Sequence, residues 1–219
     1  MIKIKICGLS SLKQIEMVKL SGADMCGFIF ADPSPRRLHP EYAEKLLFSK
    51  AANDIERVAV FVNAKDDYID QCISSVDANL IQLHGDETIG RCKEIKKLFG
   101  LPIIKAFGIS GILDLKFSEK YSDFVDYFLF DAKPGNSHNE QRGGLNKTFD
   151  WSILKNWKGA DYFLSGGLNS ENIIDAVNFS NSSVIDVSSG VETKPGLKDK
   201  QKIDNFVKLT RLAYKKKYG

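Results

Sequence analysis

Two residues far apart in the chain have the types that acid–base chemistry at carbon and oxygen needs. Cys7 ends the alternating run Ile2-Lys3-Ile4-Lys5-Ile6, and Asp131 ends the apolar run Val125-Asp126-Tyr127-Phe128-Leu129-Phe130. A thiolate can take a proton from carbon, and a carboxylic acid can give one to oxygen. The thiol works as a base only once ionised, so a pKa below its free value of ~8.5 would help. A carboxyl used as an acid must keep its proton near neutrality, which desolvation favours. Taken singly, a strand cysteine is usually a small buried hydrophobe and an aspartate after a strand a turn former. What stands beside them changes the odds.

Ser165-Gly166-Gly167-Leu168 and Ser188-Ser189-Gly190-Val191-Glu192 each follow an apolar stretch. Glycine lets backbone approach a ligand, and amides at a helix start direct partial positive charge at an anion. Gly166, Gly167, Ser188, Ser189 and Gly190 are therefore the candidate phosphate-binding residues. Two such loops in succession point to a phosphorylated small molecule. Lys5 shares a strand face with Cys7, as Asp186 does with Ser188. If the first and last strands are neighbours, Lys5 and Asp186 should pair inside the sheet, because an unpaired inward lysine is costly. Lys105 is expected to point inward as well, with no partner identified.

The elements that must position these groups alternate along the chain. Strands are expected at 2–6, 25–30, 57–62, 79–83, 102–107, 125–130, 161–164 and 183–187. Helical periodicity lies between them near 11–21, 40–52, 66–76, 86–99, 111–122, 150–155, 169–178 and 199–217. Asp66 and Asp86 read as N-caps, and Asn169 with Asn172 opens the seventh helix. Eight evenly spaced strand–helix units predict a closed (β/α)8 TIM barrel, with one domain over residues 1–219; an open doubly wound sheet is the weaker alternative. The loops after the strands then form the active face, which is where the polar residues and glycines above fall.

Composition narrows the function classes. With 31 Lys and Arg against 28 Asp and Glu in 219 residues, the net charge of +3 is too small to imply nucleic acid. No apolar run approaches the ~18–20 residues that span a bilayer, so no membrane partner is expected. The chain enters a strand at once, which argues against a cleaved signal and for a cytoplasmic protein. Cys7, Cys26, Cys72 and Cys92 show no C-x-x-C spacing and read as reduced thiols, not staples or a metal site.

Lys5-Ile6-Cys7-Gly8-Leu9, Pro35-Arg36, Val60-Phe61-Val62-Asn63, Gln82-Leu83-His84-Gly85, Phe130-Asp131, Phe149-Asp150-Trp151, Ser165-Gly166-Gly167-Leu168 and Asp186-Val187-Ser188-Ser189-Gly190-Val191-Glu192 together resemble the phosphoribosylanthranilate isomerases of tryptophan biosynthesis. The match runs in order from Lys3 to about Pro195. The resemblance implies a cofactor-free Amadori rearrangement of N-(5-phospho-β-D-ribosyl)anthranilate to 1-(2-carboxyphenylamino)-1-deoxyribulose 5-phosphate. It makes Asp131 the general acid at the furanose oxygen and Cys7 the base at C2. Arg36 would hold the anthranilate carboxylate, and Gly166, Gly167, Ser189 and Gly190 the phosphate. Gln82, His84 and Asp186 become substrate-contacting candidates, Asp186 through a sugar hydroxyl or by orienting Lys5. His84 is expected to wall the site rather than move protons. Asn63 would shape its loop, Cys26 and both tryptophans would be packing residues, and His39 and His138 would be solvated.

The chain departs from the family at Leu145-Asn146, where a small hydroxyl residue and a glycine usually follow the Gly143-Gly144 pair. A lid over Asp131 is still expected in 132–148. The nearest rival is the histidine-pathway sugar isomerase, whose base is an aspartate where Cys7 stands. A silent barrel acting as a partner subunit would not need Cys7, Asp131, Arg36 and both glycine loops together. A fused bifunctional enzyme is not expected from a chain running from strand one to helix eight. Assembly is expected as monomer or homodimer.

Overall fold

Alternation along the strands decides the layers. In the computed structural model, which describes residues 1–47, 55–133 and 148–219, the first strand is Lys3–Cys7 (β1). Its Ile4 and Ile6 join the layer under the helices, whereas Lys5 and Cys7 turn to the axis. The same alternation runs through Met25–Ile29 (β2), Glu56–Phe61 (β3), Leu80–Leu83 (β4), Ile103–Ile109 (β5), Tyr127–Ala132 (β6), Tyr162–Leu164 (β7) and Val184–Val187 (β8). All pair in parallel in chain order, and β1 meets β8 with Lys5 opposite Asp186, so the sheet closes. The axis is filled by Val58, Val60, Ile104, Ala106, Leu129 and Phe163. This is the expected (β/α)8 barrel.

The helices are Leu12–Leu20 (α1), Pro40–Leu47 (α2), Asp66–Ser75 (α3), Ile89–Phe99 (α4), Ile112–Ser118 (α5), Ile173–Phe179 (α6) and Lys200–Tyr218 (α7). Between β6 and β7 the expected helix at 150–155 is a 3-10 segment, Trp151–Asn156. Trp157 ends it and wedges against Phe128 and Phe130, each with ring centroids 4.9 Å away. The part of the second expected helix beyond residue 47 lies outside the described residues.

Two expected caps are corrected. Asp66 is the first residue of α3 rather than its cap, with Lys65 in the cap position. Asp86 lies before α4, whose start is capped by Thr88, its hydroxyl accepting from Arg91 N at 3.2 Å. Asn169 and Asn172 do form the turn before α6: Asn169 N donates to Asn172 Oδ1 at 2.9 Å. Asn169 Oδ1 accepts from Glu171 N at 2.8 Å. Among the described residues no helix is long and apolar enough to cross a membrane.

The two mouths of the barrel differ. At the N-terminal mouth a basin of about 480 Å³ is bordered by Lys3, Glu56 and Tyr127 over an apolar floor of Met25, Leu80 and Phe163. Lys3 is engaged by Glu56 at 2.9 Å, so the chemistry must be sought at the other mouth.

Candidate active site

Cys7 is the last residue of β1, facing the axis at the C-terminal mouth. Gly27, its neighbour on β2, leaves the room it needs: a Cβ there would come within 2.7 Å of the sulfur. One step below, Lys5 is fully buried and donates to Asp186 Oδ1 and Gln82 Oε1, each at 2.9 Å. The expected Lys5–Asp186 pair is therefore present. Burial opposes the Lys5 charge, but Asp186 and the thiol outweigh it and hold the lysine above its ordinary pKa. For Cys7 the balance falls the other way. Burial pushes the thiol up, Lys5 and Lys198 pull it down, and Asp186 adds to the rise. The lowered thiol pKa that would help a base is not what the ligand-free protein provides: desolvation wins over the neighbouring cations.

Asp131 lies near the end of β6 on the same mouth, 7% exposed, three strands from Cys7 one way round the ring and five the other. Its Oδ1 accepts from Ala132 N at 2.8 Å and its Oδ2 lies 3.5 Å from His84 Nε2. His84 Nδ1 meets Gln82 Nε2 at 2.9 Å. Gly166, with φ +91, comes so close that a Cβ would sit 2.4 Å from Ala132 N and 2.9 Å from Asp131 Oδ1. The segment of the expected lid from 134 to 147, with His138, lies outside the described residues.

Arg36 reaches the same mouth from the loop after β2. Gly8 (φ +80) makes the passage possible, since a Cβ there would meet Arg36 Cδ at 2.7 Å. The guanidinium is buried and already paired: Nε and Nη2 donate to Glu192 Oε1 and Oε2 at 2.8 and 2.7 Å. Lys198 donates to the same Oε1 at 2.7 Å and to Ser188 O at 3.0 Å. Burial alone would raise the Glu192 carboxyl, but Arg36 and Lys198 more than offset it and hold it below the usual range. Two cations against one carboxylate leave this cluster one positive charge in excess. Glu192 takes Nε and Nη2, so Nη1 is the guanidinium nitrogen that it leaves unengaged.

The sequence carries Glu192 only as the end of the second glycine-loop motif, with no role assigned, and does not mark Lys198. They lie on a two-stranded hairpin, Glu192–Lys194 (β9) and Leu197–Lys198 (β10), where a plain loop was expected. The hairpin is tied down by Gln14, whose Nε2 donates to Gly196 O at 2.9 Å. A sequence signal existed, an acidic and a basic residue flanking the turn Pro195-Gly196. Nothing local told that both would be buried.

The two glycine loops meet at this mouth. Gly166 and Gly167 both have positive φ, +91 and +62, a sharp turn that side chains resist. Ser188 donates from Oγ to Cys7 O at 3.0 Å, joining the loop to β1. Ser189 begins a 3-10 turn, Ser189–Val191. At Gly190 a Cβ would lie 1.9 Å from Leu168 O, so the glycine serves the contact between the loops themselves. Gly190→Ala is expected to cost about 1–3 kcal/mol of stability by forcing two backbones apart. It should also raise the KM of a phosphorylated substrate, which urea unfolding and kinetics would check.

Lys105 is corrected. It faces the layer under the helices rather than the axis, and its partner is Glu87 at 3.1 Å, with further donation to Gly85 O at 2.9 Å. Glu87 also accepts from Gly85 N and Asn63 N, so it fixes the loop that carries His84. Asn63 shapes that loop through Oδ1, which accepts from Asp86 N at 2.8 Å. Cys26 is fully buried, and burial raises its thiol pKa to about 12. His39 is exposed. Trp157 packs as expected and donates to Ala160 O at 2.9 Å. Among the described residues no cluster of His, Cys, Asp or Glu is suited to a metal ion.

A closed parallel barrel whose C-terminal mouth gathers a thiol, a carboxyl, a caged arginine and two glycine turns defines a (β/α)8-barrel enzyme. The sequence model of the N-(5'-phosphoribosyl)anthranilate (PRA) isomerase family matches residues 4–209. N-(5'-phosphoribosyl)anthranilate isomerase from Rhizobium meliloti is 41% identical over 212 residues, covering 96% of this chain and 98% of the relative. The Agrobacterium fabrum protein of that name is 44% identical over 206 residues, 93% of this chain and 92% of its own. Among solved structures, phosphoribosyl anthranilate isomerase from Thermotoga maritima superposes with a TM-score of 0.84 at 36% identity, covering 96% of this chain and 99% of that one. The chain belongs to the N-(5'-phosphoribosyl)anthranilate isomerase family.

Proposed function

We propose that this chain isomerises phosphoribosylanthranilate in tryptophan biosynthesis, with Asp131 as general acid and Cys7 as general base. The family assignment supports the reaction. The observation that carries the roles is the placement of a buried thiol and a buried carboxyl on one mouth of one barrel, facing its axis from different sides. A solved relative holds reduced 1-(o-carboxyphenylamino)-1-deoxyribulose 5-phosphate, which matches the chemistry in size and charge.

The phosphate sits against the amides of Gly166, Gly167, Ser189 and Gly190, with the Ser188 loop beneath. The anthranilate carboxylate takes the free end of Arg36, drawn by the cluster's excess positive charge. Asp131 gives its proton to the ring oxygen as the C1–O bond breaks and the nitrogen lone pair forms C=N. The protonated Schiff base then stands near the thiol, and its positive charge favours the thiolate when the base is needed. Cys7 removes the C2 proton, leaving an enolamine that tautomerises to the ketone. Reduction at C1 balances oxidation at C2, so no cofactor is consumed. The reading takes residues 1–219 as one barrel domain in the cytoplasm, monomeric or homodimeric; the isomerase of one Thermotoga maritima structure is described as dimeric in its parent form.

The test is loss of substrate fluorescence, with phosphoribosylanthranilate formed in situ from anthranilate. Turnover by the purified chain is expected, and its absence would reject the reading. Turnover of the histidine-pathway aminoimidazole-carboxamide substrate instead would favour the rival. Arg36→Met should raise KM by roughly ten- to a hundredfold with kcat changed far less, as expected for a lost charge-assisted hydrogen bond. Glu192 keeps Lys198 as a partner in that variant, so the fold should hold.

A further inference from the structure

Between β1 and β6 the buried Lys5, Gln82 and Asp131 and the part-buried His84 form one connected series, and its donors and acceptors can be assigned. The Lys5 ammonium has three donors and no acceptor. Its Nζ lies 2.9 Å from the Gln82 side-chain amide, so the atom facing it is the oxygen and the amide nitrogen faces away. That nitrogen has only hydrogens to offer, and it lies 2.9 Å from Nδ1 of His84. Nδ1 must accept. The single proton of a neutral imidazole is then on Nε2, the nitrogen 3.5 Å from Asp131 Oδ2.

We propose that Gln82 is a positioning residue that holds His84 as its Nε2–H tautomer, and that this N–H steadies the carboxylate Asp131 becomes on giving up its proton. The proposal rests on the reading of Asp131 as the acid. The 3.5 Å approach tightens to a hydrogen bond as Oδ2 gains full negative charge on proton transfer to substrate. Oδ1 is already engaged by Ala132 N, so Oδ2 is the oxygen left to receive it. No proton leaves His84 in this scheme. An imidazolium would also set an Nδ1–H against the Gln82 N–H, donor facing donor. Gln82 and His84 thus act through Asp131, not as the substrate contacts the family resemblance suggests. Lys5, beside the base, sets the hydrogen-bond polarity next to the acid.

Nitrogen-15 NMR of histidine-labelled protein reads the two ring nitrogens directly, with His84→Asn assigning the signal among the three histidines. In the ligand-free enzyme near neutral pH, His84 should show a bare Nδ1 and a protonated Nε2. Gln82→Glu keeps shape and the acceptor toward Lys5 but turns the donor into an acceptor. The ring proton should then appear on Nδ1, with kcat down about tenfold and KM changed by less than about threefold. Should that variant not fold, Gln82→Met keeps volume without polarity, and both tautomers should appear with a smaller loss of kcat. A protonated Nδ1 in the unaltered enzyme overturns the proposal. So does a Gln82 variant that moves the ring proton and leaves kcat intact. Failure of the parent reading looks different: full activity in Asp131→Asn with the His84 spectrum as described.

Discussion

Replacing Cys7 with alanine is expected to lower kcat by at least about two orders of magnitude in a protein that still folds, the usual loss when a positioned proton carrier is removed. The fold should survive because the sulfur fills a small space beside Gly27 and its loss removes about 1 kcal/mol of apolar contact. Phosphate and carboxylate contacts lie elsewhere on the mouth, so KM should change little. The pH profile carries the sharper signature. The active form pairs the Cys7 thiolate with a protonated Asp131, and burial raises the thiol pKa, so the thiol limb of kcat/KM should lie above the ordinary thiol value. The limb for kcat should lie at lower pH, since the Schiff-base cation is present only in the complex. Lys198→Met should move the free-enzyme limb up, because that lysine pulls the thiol down. Near-full activity in Cys7→Ala, or a thiol limb that Lys198→Met leaves in place, would reject Cys7 as the base.

Asp131→Asn should cost at least about two orders of magnitude in kcat as well, with substrate binding nearly unchanged. The amide oxygen can still accept from Ala132 N, as Oδ1 does at 2.8 Å, so the loop next to Gly166 keeps its anchor. What asparagine lacks is an acidic proton for the ring oxygen. Asp131→Ala should lose at least as much activity and also leave Ala132 N without its side-chain acceptor. The comparison separates the two roles of the carboxyl. If Asp131→Asn kept turnover while Asp131→Ala lost it, the residue would be an anchor and ring opening would need another acid. Rapid-quench measurement of the ring-opening step would decide between them.

Some of this was legible in the residues alone because its cause is local. Alternation of Ile and Lys in β1 follows from the two-residue repeat of an extended chain, and it already placed Lys5 and Cys7 on one face. The parallel register then made Asp186 the neighbour of Lys5 across the closure. The Gly166-Gly167 pair marked a loop open to close backbone approach in the same way, and both residues take positive φ. Where local rules failed, a contact distant in sequence outweighed them. Thr88 took the cap expected of Asp86, the helix expected before β7 wound as a 3-10 segment ending at Trp157, and Lys105 turned outward to Glu87.

By itself, then, the sequence determined the order of strands along the chain, the two faces of β1 and the residue types at the mouth, since each depends on neighbours a few positions away. Only the tertiary structure decided who those side chains meet. Arg36 and Glu192 are 156 residues apart, Lys5 and Gln82 are 77 apart, and no periodicity encodes either pair. The direction of the Cys7 pKa shift belongs to the same class, because desolvation is a property of everything that surrounds the sulfur once the barrel has closed.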